Sequence, residues 1–187
     1  MKIYKIEMDS NNINILSPTD SNKMDVDFLT FDAEPRSQGW EELEVYIQNP
    51  KMKAKNFSNL GSGILVCDQI AFDLLETLFE MSGEILSLKL ERSDKKLHLI
   101  NILECLNCLD YKKTEWDMYD DGTKGRILKY SFLKERVGSE STLFKIPETS
   151  KIDIFTITGL KDPSDEFFSL YHKHKLTGLT FELIQEW

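Results

Sequence analysis

Apolar residues along this chain recur mainly in short runs, a pattern that predicts more β-strand than helix. Runs of four to eight apolar or alternating residues are typical of strands. Clusters of Asn, Asp, Ser, Gly and Pro between them favour turns. The predicted strands and shorter apolar pieces lie at 3–6, 27–32, 45–47, 64–67, 85–90, 97–103, 126–132, 142–146, 152–158 and 179–184. The polar stretch 9–25 is predicted to be a loop, and Ser93-Asp94-Lys95 a hairpin turn.

Two segments instead carry apolar residues at helical spacing. The first begins after Asp68, whose carboxylate can cap a helix start, and ends before Gly83, a typical residue just past a helix. Its periodic apolar residues are Ile70, Leu74, Leu75, Leu78 and Phe79. The second opens at Asp162-Pro163, since proline fits the first helical turn, and its apolar face is Phe167, Leu170 and Tyr171. We therefore predict helices at about 68–82 and 163–174.

Strands dominate this pattern, and they do not alternate with helices as repeated βαβ units. The order predicts an α+β fold with a mainly antiparallel sheet and two principal helices. A chain of 187 residues fits a single domain and can bury a core without disulfide or metal support. Residues 1–60 are irregular in pattern, and we expect them to pack on or beside a core formed by residues 61–187.

The charge distribution narrows the possible partners. The net charge is −9, with −3 in residues 1–60, −6 in residues 61–125 and zero in residues 126–187. An acidic surface disfavours nucleic acid, which is bound through Lys and Arg, and anionic membranes. It favours a basic protein partner, although acidity also serves solubility alone.

Three features of the sequence bear on the cellular compartment of the protein. Residues 1–7 hold Lys and Glu where a signal peptide would be apolar. No apolar run approaches the ~20 residues that span a bilayer. Three cysteines, an odd number, do not form a disulfide framework. We expect a cytoplasmic protein.

Few residues have the spacing that catalysis requires. Cys105 and Cys108 form a CxxC pair, but the second pair typical of structural zinc is missing, and no helix is predicted to follow. His172 and His174 are two residues apart and do not share a helix face, so with Lys173 they fit a role at a helix C-terminus. His98 stands alone in a predicted strand. We predict no catalytic residues, no cofactor and no metal site.

The most unusual segment interleaves acidic and aromatic residues around a turn. Glu115, Trp116, Asp117, Tyr119, Asp120 and Asp121 lie within eight positions that end at Gly122. Trp and Tyr often anchor protein interfaces, and carboxylates pair with Lys or Arg on a partner. The alternative is an ordinary hairpin tip whose aromatic rings fold onto the sheet. Trp40, Glu41 and Glu42 form a second candidate surface for the same reason.

An ordered set of short motifs resembles a known family. These are Leu65-Val66-Cys67-Asp68, Gly83-Glu84, Leu109-Asp110, Phe144-Lys145-Ile146, Ile154-Phe155-Thr156 and Leu176-Thr177-Gly178-Leu179-Thr180-Phe181, with Gly39-Trp40 as a further N-terminal match. In this order they resemble immunity protein family eleven of bacterial polymorphic toxin systems, over roughly residues 60–187. A Ser often follows the Leu-Asp motif in that family; here the nearest Ser or Thr after the motif is Thr114.

The resemblance implies a cytoplasmic antitoxin that binds a cognate toxin and blocks its activity. It implies no catalytic residues, and the chemistry of the toxin does not transfer. Two other classes stay open on the residues alone. One is a small redox or hydrolytic enzyme, for which Cys105 and Cys108 would supply the redox pair. The other is a ligand-binding regulatory domain.

Overall fold

The structure is a computed structural model that describes residues 1–11, 13–23, 28–138 and 142–187. Its strands and α-helices are β1 (Lys2–Met8), β2 (Asn14–Pro18), β3 (Leu43–Ile47), β4 (Phe57–Asn59), β5 (Ile64–Asp68), α1 (Gln69–Ser82), β6 (Gly83–Leu90), β7 (Lys96–Ile102), β8 (Glu115–Met118), β9 (Lys124–Lys129), β10 (Leu143–Phe144), β11 (Ile154–Thr158), α2 (Phe167–Lys173) and β12 (Leu179–Glu186). Mainly antiparallel strands and two α-helices confirm the predicted α+β class.

The strands form a closed barrel, a separate sheet and a hairpin. The barrel has the order β2-β3-β6-β7-β5-β4, with parallel pairs only at β2–β4 and β3–β6 among the described strands. The sheet is antiparallel with the order β10-β11-β1-β12, and β8 pairs with β9. The first sixty residues therefore supply β1 to the sheet and β2, β3 and β4 to the barrel.

Side chains of the barrel wall alternate between two buried clusters. Ile64 and Val66 of β5 point into the barrel interior, while Leu65 and Cys67 point outward. The outward cluster joins the barrel to both helices and to β1 and β11, through residues such as Phe79 and Phe167. Burial on both faces explains why β5 reads as a continuous apolar run.

The first predicted helix has the expected start and end, Gln69–Ser82. Asp68 accepts a hydrogen bond from the Ala71 N–H at 2.9 Å, which confirms the N-cap. Gly83 directly follows the helix, as predicted, and its extended backbone (φ 179°) begins β6. A side chain there would meet Asn101, since an ideal Cβ would lie 2.0 Å from the Asn101 carbonyl oxygen. Ile70 and Leu74 are exposed rather than part of the core face.

The second predicted helix begins later than expected. Asp162 caps only a 3₁₀ turn, Pro163–Asp165, and α2 starts at Phe167. Glu166 lies between them in an extended conformation, and its buried carboxylate accepts hydrogen bonds from the Gly159 and Leu160 N–H groups. This tie to the preceding loop interrupts the helix that the Asp-Pro signal predicted.

Other boundaries also differ. The predicted loop 9–25 contains β2, and neither β4 nor β8 was predicted. The strand predicted at 126–132 lies at 124–129, and that predicted at 142–146 covers only Leu143–Phe144. Of the strand predicted at 27–32, Thr30 forms an isolated bridge with Ser62, while Asp27 lies outside the described residues. In the described parts of the chain, no helix has the length and apolarity needed to cross a membrane.

Candidate functional site

Residues 109–132 form a hairpin arm whose neck is fixed in the core. Leu109 and Phe132 are buried, and they form an antiparallel bridge at the neck. The side-chain amide of Gln185 on β12 accepts from the Phe132 N–H and donates to the Phe132 carbonyl. The arm is therefore held at its base by the four-stranded sheet, and its far end carries the predicted acidic and aromatic segment.

Trp116 anchors the middle of the arm. It pairs across the hairpin with Ile127, and both side chains pack against the core cluster under the sheet. The Tyr111 ring stacks on Trp116 with ring centroids 6.0 Å apart, and the Lys124 ammonium lies 4.7 Å from the Trp116 ring centroid. For Trp116, the alternative prediction of an aromatic ring folded onto the sheet is therefore correct. The packed ring fixes the position of the hairpin tip.

The tip itself exposes large apolar side chains. Tyr119 is 65% exposed and Met118 53%, and Leu128 is 57% exposed along β9. The Tyr119 ring lies against Gly125, where an ideal Cβ would come within 3.2 Å of it. In the turn, the Gly122 N–H donates to the Tyr119 carbonyl at 2.9 Å, and the Tyr119 N–H donates to the Thr123 carbonyl at 3.0 Å. A fixed turn that presents exposed aromatic and apolar groups suits the recognition of another protein.

The four carboxylates of the segment have different partners. Glu115 pairs with Lys129 at 3.3 Å and Asp117 with Arg126 at 3.5 Å, both across the hairpin. Asp121 accepts hydrogen bonds from the Thr123 side chain and N–H, which lower the pKa of its carboxyl group. In the described chain no ion pair includes Asp120 or Asp121. The charge available to a partner is therefore concentrated at the turn.

Trp40 belongs to a different part of the molecule. Its indole N–H donates to the Ser87 carbonyl at 3.1 Å, and its ring lies nearly parallel to Phe28 with centroids 6.4 Å apart. Together with Arg36 these rings line an open cleft of about 410 Å³. Glu41 pairs with Lys23 at 3.4 Å. Trp40 packs with the barrel interior and Trp116 with the sheet, so the two predicted surfaces do not share a core cluster.

Next to this cleft lies a polar network that sequence reasoning missed. Residues 28–37, here called the strap, run beside Gly61–Gly63. The Arg36 guanidinium donates to the Phe28 and Thr30 carbonyls at 2.7 Å each. The Glu84 carboxylate accepts from the Arg36 and Ser37 N–H groups and from the Asn101 amide. Burial opposes ionisation of Glu84, yet these hydrogen bonds together lower the pKa of its carboxyl group.

Lys145 bonds the strap from the interior of the protein. Its side chain is fully buried, and its ammonium donates to the Phe31 carbonyl at 2.9 Å. Burial is the main reason that the pKa of Lys145 falls to about 8. The signal that could have found it is a lysine flanked by Phe144 and Ile146, both buried, because a charged residue inside an apolar run needs a partner there.

The CxxC pair lies in surroundings that disfavour thiolate. Burial raises the pKa of the Cys108 thiol to about 12 and also raises that of Cys105. Both thiols are free, as is that of buried Cys67. A redox-active cysteine needs a lowered thiol pKa, so these surroundings do not favour the redox alternative.

Two of the three histidines, His98 and His172, contact aromatic rings. His98 stacks on Phe72 with centroids 3.8 Å apart, and its Nε2 lies 3.0 Å from the Gln69 side-chain oxygen. Burial lowers the pKa of His98. His172, in the last turn of α2, contacts Phe168 edge-on. Among the described residues no group of three His, Cys, Asp or Glu side chains is arranged to hold a metal ion.

A scan against protein-family models finds no match, and a search of curated proteins finds no significant one.

Proposed function

We propose that this protein is a cytoplasmic immunity protein that binds a cognate bacterial toxin and blocks it by occlusion. The observation that carries the proposal is the tip of the hairpin arm. Exposed Met118 and Tyr119 lie beside Asp120 and Asp121, on a turn whose base is fixed by Trp116. Such a combination of aromatic, apolar and charged groups on a preorganised element favours tight association.

Two further features support the proposal. The net charge of −9 favours encounter with a basic partner. The motifs that resemble the immunity family are largely buried, including Leu65, Phe144 and Phe155. Buried motifs describe a shared scaffold, whereas the exposed tip is free to differ between proteins that recognise different toxins.

The test is co-purification of the tagged chain from its native host, followed by reconstitution with the retained protein. We expect one stoichiometric partner that inhibits growth of a surrogate bacterium, and co-expression of this chain should restore growth. A retained partner without toxicity, or no stoichiometric partner when candidate toxins are expressed, would overturn the proposal.

Variants of the tip locate the interface. Met118→Ser with Tyr119→Ser should weaken binding of the retained partner at least tenfold, because two exposed anchors are lost. Asp120→Lys should slow association and reduce its salt dependence. The matched control is Leu183→Ser on β12, which removes another exposed apolar side chain (49%) and should leave binding unchanged. Equal effects of the tip and control variants would place the interface elsewhere.

A further inference from the structure

Helix α1 exposes a row of side chains on its solvent side that the hairpin arm does not explain. Ile70 is 64% exposed, Met81 57% and Leu74 37%, and Thr77 is also exposed. Steps of four, three and four residues bring these side chains to one face of a helix. We call these four residues the ridge.

The ridge borders two shallow clefts. One, of about 260 Å³, lies between Ile70 and the Lys95–Leu97 segment. The second, also about 260 Å³, lies between Leu74 and Met81 on one side and Leu170 and Asp165 on the other. The apolar row is therefore one wall of a surface that continues toward α2.

A row of carboxylates runs beside the ridge. Asp73, Glu76 and Glu80 are exposed and follow each other at steps of three and four residues, along the neighbouring face of α1. Asp73 accepts from the Gln69 amide, but in the described chain no ion pair includes any of the three. Lys95 and Lys96 line the cleft at the Ile70 end of the ridge.

We propose that the ridge is a docking surface for an amphipathic helix of another protein, with an apolar stripe at steps of three and four residues and a flanking row of Lys or Arg. The basic row would lie against Asp73, Glu76 and Glu80. From Ile70 to Met81 the ridge is about 16 Å long, which matches a partner helix of about three turns. This surface is separate from the hairpin arm and goes beyond the function proposed above.

Charge decides against a second copy as the occupant. Two ridges packed with antiparallel helices would bring both acidic rows to the same edge of the interface. With parallel helices, each acidic row would meet the opposite flank of the other copy's α1, and α1 contains no Lys or Arg to pair with it. Like charges oppose the antiparallel arrangement and the parallel one lacks a basic row on α1, whereas a basic flank on a partner helix complements the acidic row.

The probe is a synthetic 14-residue helical peptide with Leu at steps of three and four residues and Lys along one flank. Binding is measured by fluorescence anisotropy. We expect Ile70→Gln with Met81→Gln to weaken binding at least tenfold, and Glu76→Lys with Glu80→Lys to do the same. The control peptide carries Glu in place of Lys and should bind at least tenfold more weakly to the wild-type chain. Equal binding of the two peptides, or insensitivity to both double variants, would overturn the proposal.

Further measurements separate this surface from other occupants. The Asp120→Lys variant, altered at the tip of the arm, should bind the Lys peptide with the same affinity as the wild type. This holds whether or not the variant binds the toxin more weakly. Circular dichroism should show unchanged folding of the ridge variants, since the altered side chains are exposed. Analytical ultracentrifugation should show a monomer, and a dimer that the Ile70→Gln, Met81→Gln variant dissociates would overturn the proposal. Ridge-dependent co-sedimentation with zwitterionic lipid vesicles would also overturn it.

Discussion

At the scale of single residues, Lys145 is an ionisable group whose surroundings oppose its charged form. Among the described residues it is the one lysine with a buried side chain, and its ammonium bonds the Phe31 carbonyl. Asp32 and Cys105 favour the charged form, while Lys151 and Arg36 oppose it. Burial outweighs these influences, so charged Lys145 costs the folded state free energy.

This cost predicts a pH dependence of stability. The pKa of Lys145 is about 8 in the folded protein against 10.5 for an ordinary lysine. Between these values the unfolded chain binds more protons, so stability rises with pH. From pH 7 to pH 10 the free energy of unfolding should rise by about 2.5 kcal/mol more in the wild type than in Lys145→Met. Urea unfolding at several pH values measures the difference.

The comparison with the variant is needed because buried tyrosine and cysteine groups titrate in the same range. Tyr130 and Cys108 have raised pKa values, which lower stability as pH rises, but they are present in both proteins. Lys112→Met, at an exposed lysine, is the control and should follow the wild type. Parallel profiles of the wild type and Lys145→Met would show that Lys145 is not desolvated.

At the scale of elements, the strap shows how a segment without regular secondary structure is fixed. Backbone hydrogen bonds join the strap to residues 61–63, from the Phe31 N–H to the Ser62 carbonyl and from the Ser62 N–H to the Leu29 carbonyl. Side chains supply further bonds, with Arg36, Asn101 and Lys145 donating to strap carbonyls and Glu84 accepting from strap N–H groups. Charge-assisted hydrogen bonds are stronger than neutral ones, and those of Arg36, Glu84 and Lys145 help to fix the strap.

Glu84→Gln tests this role. An amide oxygen can replace one carboxylate oxygen, but the NH₂ group would face a backbone N–H donor of the strap. We expect a loss of about 1–3 kcal/mol in the free energy of unfolding at pH 7. The pKa of Glu84 is lowered in the folded state, so its stabilisation is present above pH 4.5 and is lost as pH falls through the folded pKa. The difference from the wild type should shrink toward pH 3.

Glu44→Gln is the matched control for this prediction. Glu44 pairs with Lys89 at 2.9 Å on the surface of the barrel. Exposed ion pairs contribute little, so this variant should remain close to the wild type at pH 7. If Glu84→Gln were no more destabilising than Glu44→Gln, the strap would not depend on the Glu84 network.

At the scale of the whole molecule, the barrel and the four-stranded sheet share one buried cluster. Phe79 of α1, Phe167 of α2, Ile100 of β7 and Ile154 of β11 all belong to it. The strand β1 comes from the N-terminus yet lies between β11 and β12 in the sheet. Neither assembly can lose its structure without exposing residues that the other buries.

We therefore expect the barrel and the sheet to unfold together. Trp40 packs with the barrel interior, whereas Trp116 and Trp187 pack with the cluster under the sheet. Fluorescence of two variants, one retaining only Trp40 and one only Trp187, should report unfolding of each assembly with urea. In each variant, the midpoint from the single Trp should coincide with the midpoint from circular dichroism. A fluorescence transition clearly separate from the loss of secondary structure would contradict this prediction.

Local signals in the sequence were reliable where one residue decides the outcome. Asp68 could be recognised as an N-cap because its carboxylate serves N–H groups a few residues away. The strand 64–67 followed from its apolar run. The late start of α2 could not be predicted, because it depends on Glu166 bonding back to residues 159 and 160. The exposure of Ile70 could not be predicted either, because helical spacing does not show which apolar face of a helix meets the core.

The candidate surface was recognised only in part. The interleaved acids and aromatics located the hairpin tip, but the same pattern did not show that Trp116 is an anchor or that Glu115 and Asp117 pair with β9. Their partners, Lys129 and Arg126, lie on β9, which starts at residue 124 and not at the predicted residue 126. Register across a hairpin decides which charges remain available to a partner.

By itself the sequence determined the α+β class, the main strands, both helical segments and the acidic character, because each depends on composition or on contacts within a few residues. The tertiary structure decided the closure of the barrel, the place of β1 in the sheet and the burial of Lys145. Each of these joins residues far apart in the chain, such as Lys145 and Phe31, and their pairing depends on topology rather than on local pattern.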